Sequence, residues 1–304
     1  MRRFAWPIAI VVAAFALSSC GGGNMSKPAT SRPATPPPIG IIGVSHDGTL
    51  WLVATDRSSV RRQEITGQSA SNAQLSPDGR WVSFDTNDGI WVALAKGGRA
   101  SLIPGLPESI NRANFNGRWA PDSFQIVFGG EEGIYTIGRQ GGGPADLIFS
   151  DGWAEQPAWS GDGAQIAVVN DLSYTTGQGK IWLIGSDGAD RRYLVRGSEP
   201  AFSPDGARIA FRGVNGIYTI RVNGSRSRLI ARDGYSPVWS PDGHYIAFKK
   251  QTKSCSEAGC TERIWIVPSV GGKARPIGPT FFDADYLSWT KSPPPKRLAP
   301  IVVP

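Results

Sequence analysis

One phrase recurs along this 304-residue chain and limits what it can fold into. It runs Trp239-Ser240-Pro241-Asp242-Gly243-His244-Tyr245-Ile246-Ala247-Phe248, a large apolar anchor, a tight turn and a short apolar strand. It recurs as Phe202-Ser203-Pro204-Asp205-Gly206 before Ile209-Ala210-Phe211, and as Trp159-Ser160-Gly161-Asp162-Gly163 before Ile166-Ala167-Val168. An earlier copy is Leu75-Ser76-Pro77-Asp78-Gly79 before Trp81-Val82-Ser83-Phe84. Trp119-Ala120-Pro121-Asp122-Ser123 is looser, and at Trp289-Thr290 the aromatic stays while the turn is lost. The anchors at 75, 119, 159, 202, 239 and 289 are 44, 40, 43, 37 and 50 residues apart, the period of propeller blades.

A second phrase follows each turn or its counterpart: Leu50-Trp51-Leu52-Val53, Ile90-Trp91-Val92, Ile134-Tyr135-Thr136, Ile181-Trp182-Leu183, Ile217-Tyr218-Thr219 and Ile264-Trp265-Ile266. Short runs of β-branched and aromatic residues favour strands. A polar turn and a last short strand, as in Asn223-Gly224 before Arg228-Leu229-Ile230, complete a four-stranded unit. The first Ile-Trp phrase precedes any anchor, and the last anchor lacks such a phrase after it. The two halves therefore combine, and the pattern predicts an all-β, six-bladed β-propeller of four-stranded antiparallel blades over residues 41–304. Pairing of its N- and C-terminal segments would close it and remove free sheet edges. Residues 41–45 or residues 297–303 could supply the second strand of the closing blade. In the second unit either Phe115 or Trp119 could be the buried anchor.

The start of the chain is of another kind. Met1-Arg2-Arg3 is a basic tip, and the apolar run from Phe4 to Leu17 is short for a membrane span but suits a signal-peptide core. It ends in Leu17-Ser18-Ser19-Cys20, which resembles the lipobox of bacterial lipoproteins. The resemblance implies removal of residues 1–19 and lipid on Cys20. Residues 20–40, rich in Gly, Ser, Thr and Pro, cannot build a core and read as a tether. Lipid anchoring on the extracytoplasmic face of a bacterial membrane, in the periplasm or at the cell surface, follows from these features.

The formal charge of +7 includes Arg2 and Arg3; without them 30 Lys plus Arg face 25 Asp plus Glu, a net of +5. With no dense basic block, a nucleic-acid partner is not expected. Two histidines leave little material for a metal cluster or a Ser-His-Asp relay, so neither a metal nor a cofactor is expected. Chemistry by carboxylates alone stays open.

Asp78, Asp122, Asp162, Asp205 and Asp242 could be catalytic or calcium-binding, but Asp in a turn accepts amides of its own loop. Each belongs to a separate blade, so they read as structural. Cys255 and Cys260 bracket part of the longest loop within a blade, and outside the cytoplasm a disulfide between them is the default. His46 and His244 read as surface residues beside turns.

Strand order places the Asp-Gly turns on one face. The more varied loops fall on the other, where binding usually resides. There the sequence offers aromatics (Trp153, Tyr235, Phe281, Phe282) among carboxylates (Glu155, Glu199, Asp283, Asp285), a candidate binding face.

Over roughly residues 41–289 the Ser-Pro-Asp-Gly phrases resemble the propeller repeats of the Tol-system periplasmic protein, and those of propellers attached to prolyl-type peptidases. The first resemblance implies binding of partner proteins around the axial opening, and no binding residue is carried over from it. A tether stands here where the Tol-system relatives carry a mixed α/β domain. The Gly-x-Ser-x-Gly elbow of the peptidases does not occur.

The expected function is therefore a non-catalytic, monomeric, lipid-anchored propeller that binds an envelope protein or polysaccharide through its loop-rich face. The alternative is a glycan-active lyase or hydrolase using Asp and Glu in an axial cleft. Replacing Cys20 with Ser is expected to abolish incorporation of labelled palmitate and to move the protein from a detergent phase to the aqueous phase. Retained label in that variant would place the anchor elsewhere.

Overall fold

A computed structural model describes residues 41–46, 48–55, 59–107, 116–150, 154–173, 175–252, 261–282, 287–290 and 298–304. Among them every regular element is a strand, arranged in four-stranded antiparallel units of propeller type.

The first unit runs Ser71–Leu75, Trp81–Thr86, Gly89–Leu94 and Ser101–Leu102. The second runs Arg118–Trp119, Gln125–Gly130, Gly133–Gly138 and Asp146–Phe149. Ala154–Trp159, Gln165–Ser173, Gln178–Gly185 and the start of Arg192–Phe202 form the third. That last strand continues without a break into the fourth unit, which adds Arg208–Gly213, Gly216–Arg221 and Arg228–Arg232. The fifth is Tyr235–Trp239, Tyr245–Gln251, Thr261–Pro268 and Arg275–Phe282.

A further unit draws on both ends of the described chain. Leu287–Trp289 pairs with Ile41–His46 in the register Ile42↔Trp289, Gly43↔Ser288 and Val44↔Leu287. Thr49–Ala54 and Val60–Thr66 complete this terminal unit. The second strand thus comes from residues 41–46. The residues after 298 go elsewhere: Ile301–Val302 pairs in parallel with Val60–Thr66 on one side and with Gly98–Arg99 on the other.

The sequence dictates these strands through burial. Apolar residues of the second and third strands face both ways and are buried on both faces, as in Ile166, Ala167, Val168 and Val169. Such continuous burial requires a neighbour on each side of a sheet. Six hydrophobic clusters supply it, each built from two adjoining units. Phe84 and Val82 of the first unit meet Leu50, Leu52 and Ile65 of the terminal unit. Phe128 and Ile126 meet Ile90 and Ile103, Phe211 meets Val169 and Leu183, and Val53 meets Ile264 and Ile277.

The anchors add polar ties between units. Trp119 Nε1 donates to Gln74 O of the first unit at 3.2 Å, and Trp239 Nε1 donates to Ala201 O of the fourth at 3.0 Å. Each bond runs from an anchor to the carbonyl just before the preceding unit's anchor. Trp119, buried and paired with Ile126, therefore holds the anchor position of the second unit; Phe115 lies outside the described residues.

Phe128, fully buried between the first and second units, is the sharpest probe of this packing. Phe128→Ala is expected to lower unfolding stability by about 3–5 kcal/mol in a urea titration, since a cavity remains where the ring was. A loss near zero would show that the two sheets are not packed there.

Candidate functional site

The anchor strands end in the repeated turn. In four units the serine hydroxyl donates to the aspartate: Ser76 to Asp78 (2.6 Å), Ser160 to Asp162 (2.6 Å), Ser203 to Asp205 (2.5 Å) and Ser240 to Asp242 (2.5 Å). The same Oδ1 atoms accept amides two residues on, from Arg80, Ala164, Ala207 and His244. The glycines that follow, Gly79, Gly163, Gly206 and Gly243, have φ of 67–73°, the left-handed region that a side chain resists. The second unit differs. Ser123 takes that conformation (φ 59°), and its hydroxyl accepts the Asp78 amide of the first unit at 3.1 Å, a tie that glycine lacks.

These bonds hold three of the carboxyls below the usual carboxylate range. At Asp162 the Ser160 hydroxyl is the main cause and the Ala164 amide the next. At Asp205 the Ser203 hydroxyl leads; burial opposes it, while the Ala207 amide and the Arg208 charge add to it. Burial alone would raise Asp242, but the bonds from Ser240 and His244 outweigh it.

Five of the anchor strands share a feature at their entry. Three residues before the anchor, Asn72, Asn116, Gln156, Glu199 and Ser236 all have φ between 48° and 53°. In four of these strands the register slips beside that residue, a β-bulge. A left-handed non-glycine residue is strained by roughly 1–3 kcal/mol, so the surroundings must hold it in place. They do so from unit to unit. Gln156 Oε1 accepts the Glu199 amide at 2.8 Å, and Glu199 Oε2 accepts the Ser236 amide at 2.7 Å. Asp85 Oδ2 takes both the Asn72 side-chain amide (2.8 Å) and the Asn116 backbone amide (3.2 Å). The signal in the sequence is a polar residue at that position, followed by Pro157, Pro200 or Pro237 in three units.

Between the anchor strands lies a cavity of about 600 Å³. All of the anchors, Leu75, Trp119, Trp159, Phe202, Trp239 and Trp289, border it, so five aromatic side chains help line it. Pro77, Pro121, Pro204 and Pro241 of the turns line it towards one end; Gln156, Glu199 and Ser236 supply polar wall towards the other.

Behind Glu199 stands an ionic network across the seam of the fourth and fifth units. Arg212 lies 3.9 Å from Glu199 and 5.7 Å from the centre of the Tyr235 ring. The Tyr235 hydroxyl donates to Glu262, and Lys249 Nζ sits 3.4 Å from the other oxygen of that carboxylate and 4.9 Å from the ring centre. Lys249 and Glu262 are each only 6 % exposed, and each faces the other, the partner that a buried ionisable group needs. Burial raises the Tyr235 pKa, and the bond to Glu262 raises it further, so the phenol is neutral at any ordinary pH.

Of the residues singled out in the sequence, the structure brings Glu199 and Tyr235 together through Arg212. Glu155 sits in the third unit's anchor strand, beside Gln156. Phe281 does not show the exposure expected of it. It is 5 % exposed and meets the edge of Trp51 at 5.8 Å, so it belongs to the packing between the fifth and terminal units. Phe282 ends the strand Arg275–Phe282. Cys20, Trp153, Cys255, Cys260, Asp283 and Asp285 lie outside the described residues. Arg212, Lys249, Glu262 and Gln156 were not anticipated. Among the described residues no group of three or more His, Cys, Asp or Glu could hold a metal ion, and no helix is long and apolar enough to cross a membrane.

No family model matches the chain, and no curated protein does. Solved structures do. A protein described as a TolB from Agrobacterium tumefaciens superposes with a TM-score of 0.65 at 17% identity, over 81% of this chain and 91% of that one. TolB from Acinetobacter baumannii gives 0.65 at 16%, over 83% and 67%. An oligogalacturonate lyase from Vibrio parahaemolyticus gives 0.52 at 12%, over 75% and 70%. At such identities the likeness is one of fold.

The turn carboxyls make stability depend on acid. They titrate lower in the folded chain than in the unfolded one, so their contribution is complete above the ordinary aspartate pKa of about 3.9 and is lost as pH falls through the folded values. Urea midpoints taken between about pH 7 and pH 3 are expected to fall more steeply for the native chain than for Asp162→Asn/Asp205→Asn/Asp242→Asn. Parallel curves would show that the charge in these turns adds nothing.

Proposed function

We propose that the chain is a ring-closed, six-bladed β-propeller without catalysis, held by lipid on Cys20 and a tether over residues 20–40 at the outer side of a bacterial cytoplasmic or outer membrane. It binds a protein or another envelope component through the loop-rich face around the axial cavity. The observation that carries the non-catalytic reading is the commitment of the carboxylates near the cavity. The turn aspartates Asp78, Asp162, Asp205 and Asp242 hold their own turns, and Glu199 accepts the Ser236 amide beside Arg212. Groups held this way rigidify a scaffold, and among the described residues the carboxylates that line the cavity, Asp78, Asp122 and Glu199, all accept such bonds.

Ring closure is supported by the Leu287–Trp289 to Ile41–His46 pairing and by hydrophobic clusters on both sides of the terminal unit. The TolB likeness suits an extracytoplasmic place. A nidogen/laminin complex that superposes with a TM-score of 0.63, at 10% identity over 82% of this chain and 98% of that one, shows such a fold within a protein–protein assembly. The protein acts as a monomer in this reading, with a Cys255–Cys260 disulfide stapling a loop of the binding face.

The likeness to the oligogalacturonate lyase favours a second reading, a glycan-active enzyme. One experiment separates the two. Detergent-solubilised envelope is passed over the lipidated protein and over its Trp153→Ala/Asp283→Ala/Asp285→Ala variant, matched for melting temperature. A partner kept by the native protein and lost by the variant is the expected result. Equal capture by both would move the site off this face. Depolymerisation of an acidic glycan by the purified protein, with no captured partner, would overturn the binding reading in favour of the enzyme.

A further inference from the structure

The strand Ile301–Val302 stands apart from the architecture around it. The blade strands pair antiparallel, as hairpin-linked neighbours do, whereas this one pairs in parallel on both sides. It fills a slot between the outer strand of the terminal unit, Val60–Thr66, and Gly98–Arg99 beside the first unit. The slot is chemically complete. Gly98 N donates to Pro300 O (3.0 Å), Ala100 N to Val302 O (2.8 Å), Ala299 N to Lys96 O (2.9 Å) and Val303 N to Thr66 O (2.8 Å). The Gln63 side-chain amide adds a bond to Ala299 O at 3.0 Å.

Side chains alternate as in any half-buried strand. Ile301 is 0 % exposed and Val303 is buried, both in the cluster that holds Ile65, Ala95 and Ala100, while Val302 points out at 47 %. Two glycines shape the walls. A Cβ on Gly67 would lie 2.3 Å from Val303 O, and one on Gly97 would lie 2.1 Å from Ala299 O; both have φ near 100°. A side chain at either place would push the strand out.

The chain reaches this slot from Trp289, whose own strand meets Ile41–His46 over only three residue pairs. Residues that follow that short junction therefore grip the opposite side of it: Gln63, Thr66, Gly98 and Ala100 all precede it in the sequence by some two hundred residues. One wall of the slot, Val60–Thr66, is joined through Thr49–Ala54 to Ile41–His46, so an occupied slot steadies the sheet against which Leu287–Trp289 pairs.

We propose that Leu298–Val303 is a latch, an extended apolar segment bound as a ligand in a strand-addition site of its own domain, and that its occupancy keeps the junction between the two ends of the propeller shut. The latch rests on the ring-closed reading given above. Its occupant is this chain's own segment, Leu-Ala-Pro-Ile-Val-Val, recognised by main-chain bonds and by two inward apolar pockets, the mode of a peptide added to a sheet edge.

Amide exchange tests the latch and its premise separately. In the native chain the amides of residues 42–44 are expected to exchange slowly; fast exchange there would sink ring closure itself. In Ile301→Ala those amides, with 98–100, are expected to exchange at least about tenfold faster, while residues 166–169 of the third unit stay unchanged. Slow exchange of 42–44 in both proteins would overturn the latch and leave the ring intact. A second measurement uses the full-length Ile301→Asp chain, whose own segment cannot seat its charged side chain, and a synthetic Leu-Ala-Pro-Ile-Val-Val-Pro peptide. Saturable binding that restores slow exchange is expected, with no binding by the same peptide carrying Asp in place of its Ile. Absence of binding to the folded variant would overturn the proposal, and so would dimers formed by the native chain through exchange of this segment in place of the closed monomer.

Discussion

Packing between the faces of adjoining sheets is the interaction on which everything else here depends. No unit can satisfy Ile166, Val168, Ala167 and Val169 by itself, because the first pair and the second pair look towards different neighbours. A single unit would leave one of those faces in water, so the sheets are stable only in company. Polar ties between units follow from that proximity: the indoles of Trp119 and Trp239 reach the anchor strand of the preceding unit, and the amides of Glu199 and Ser236 find their acceptors on the unit before their own. The cavity lies among the anchor strands, bordered by their large anchors, by the turn prolines and by the polar residues at the bulges.

How much of this was legible in the sequence depended on range. The Ser-x-Asp-Gly turn is self-contained within five residues, so its residue types announce it, and the anchors announce themselves by recurrence. The Glu199, Arg212, Tyr235, Lys249 and Glu262 network spans five strands of two units, and nothing local marks Arg212 or Lys249 as its members. Phe281 was misjudged because an aromatic beside loop residues looks exposed, yet Trp51 from the other end of the chain lies against it. The segment Leu298–Val303 has too few residues to show a period, and its partners in the slot are recognisable only by glycines at 67 and 97 whose purpose lies outside their own turns.

The distribution of charge sharpens the functional argument. The carboxylates of the turns and of the cavity wall serve serine hydroxyls and backbone amides, and Glu262 serves the buried Lys249 and the Tyr235 hydroxyl. A buried pair such as Lys249 with Glu262 contributes less to stability than to a single well-defined seam, since separating either partner would strand a charge. Rigid walls of this kind suit recognition of a partner whose shape must match, and the aromatic anchors give that wall apolar area without mobile side chains.

The position of Ile41–His46 has a mechanical consequence. This strand is the first of the described chain, yet it lies inside a sheet, held along six residue pairs by Thr49–Ala54 and along three by Leu287–Trp289. A pull directed along this strand's axis loads these bonds together, in shear, rather than peeling them one at a time. Resistance to such a force is set by the barrier to unfolding and not by equilibrium stability. In the lipid-anchored arrangement proposed above, tension between membrane and partner would load this seam first.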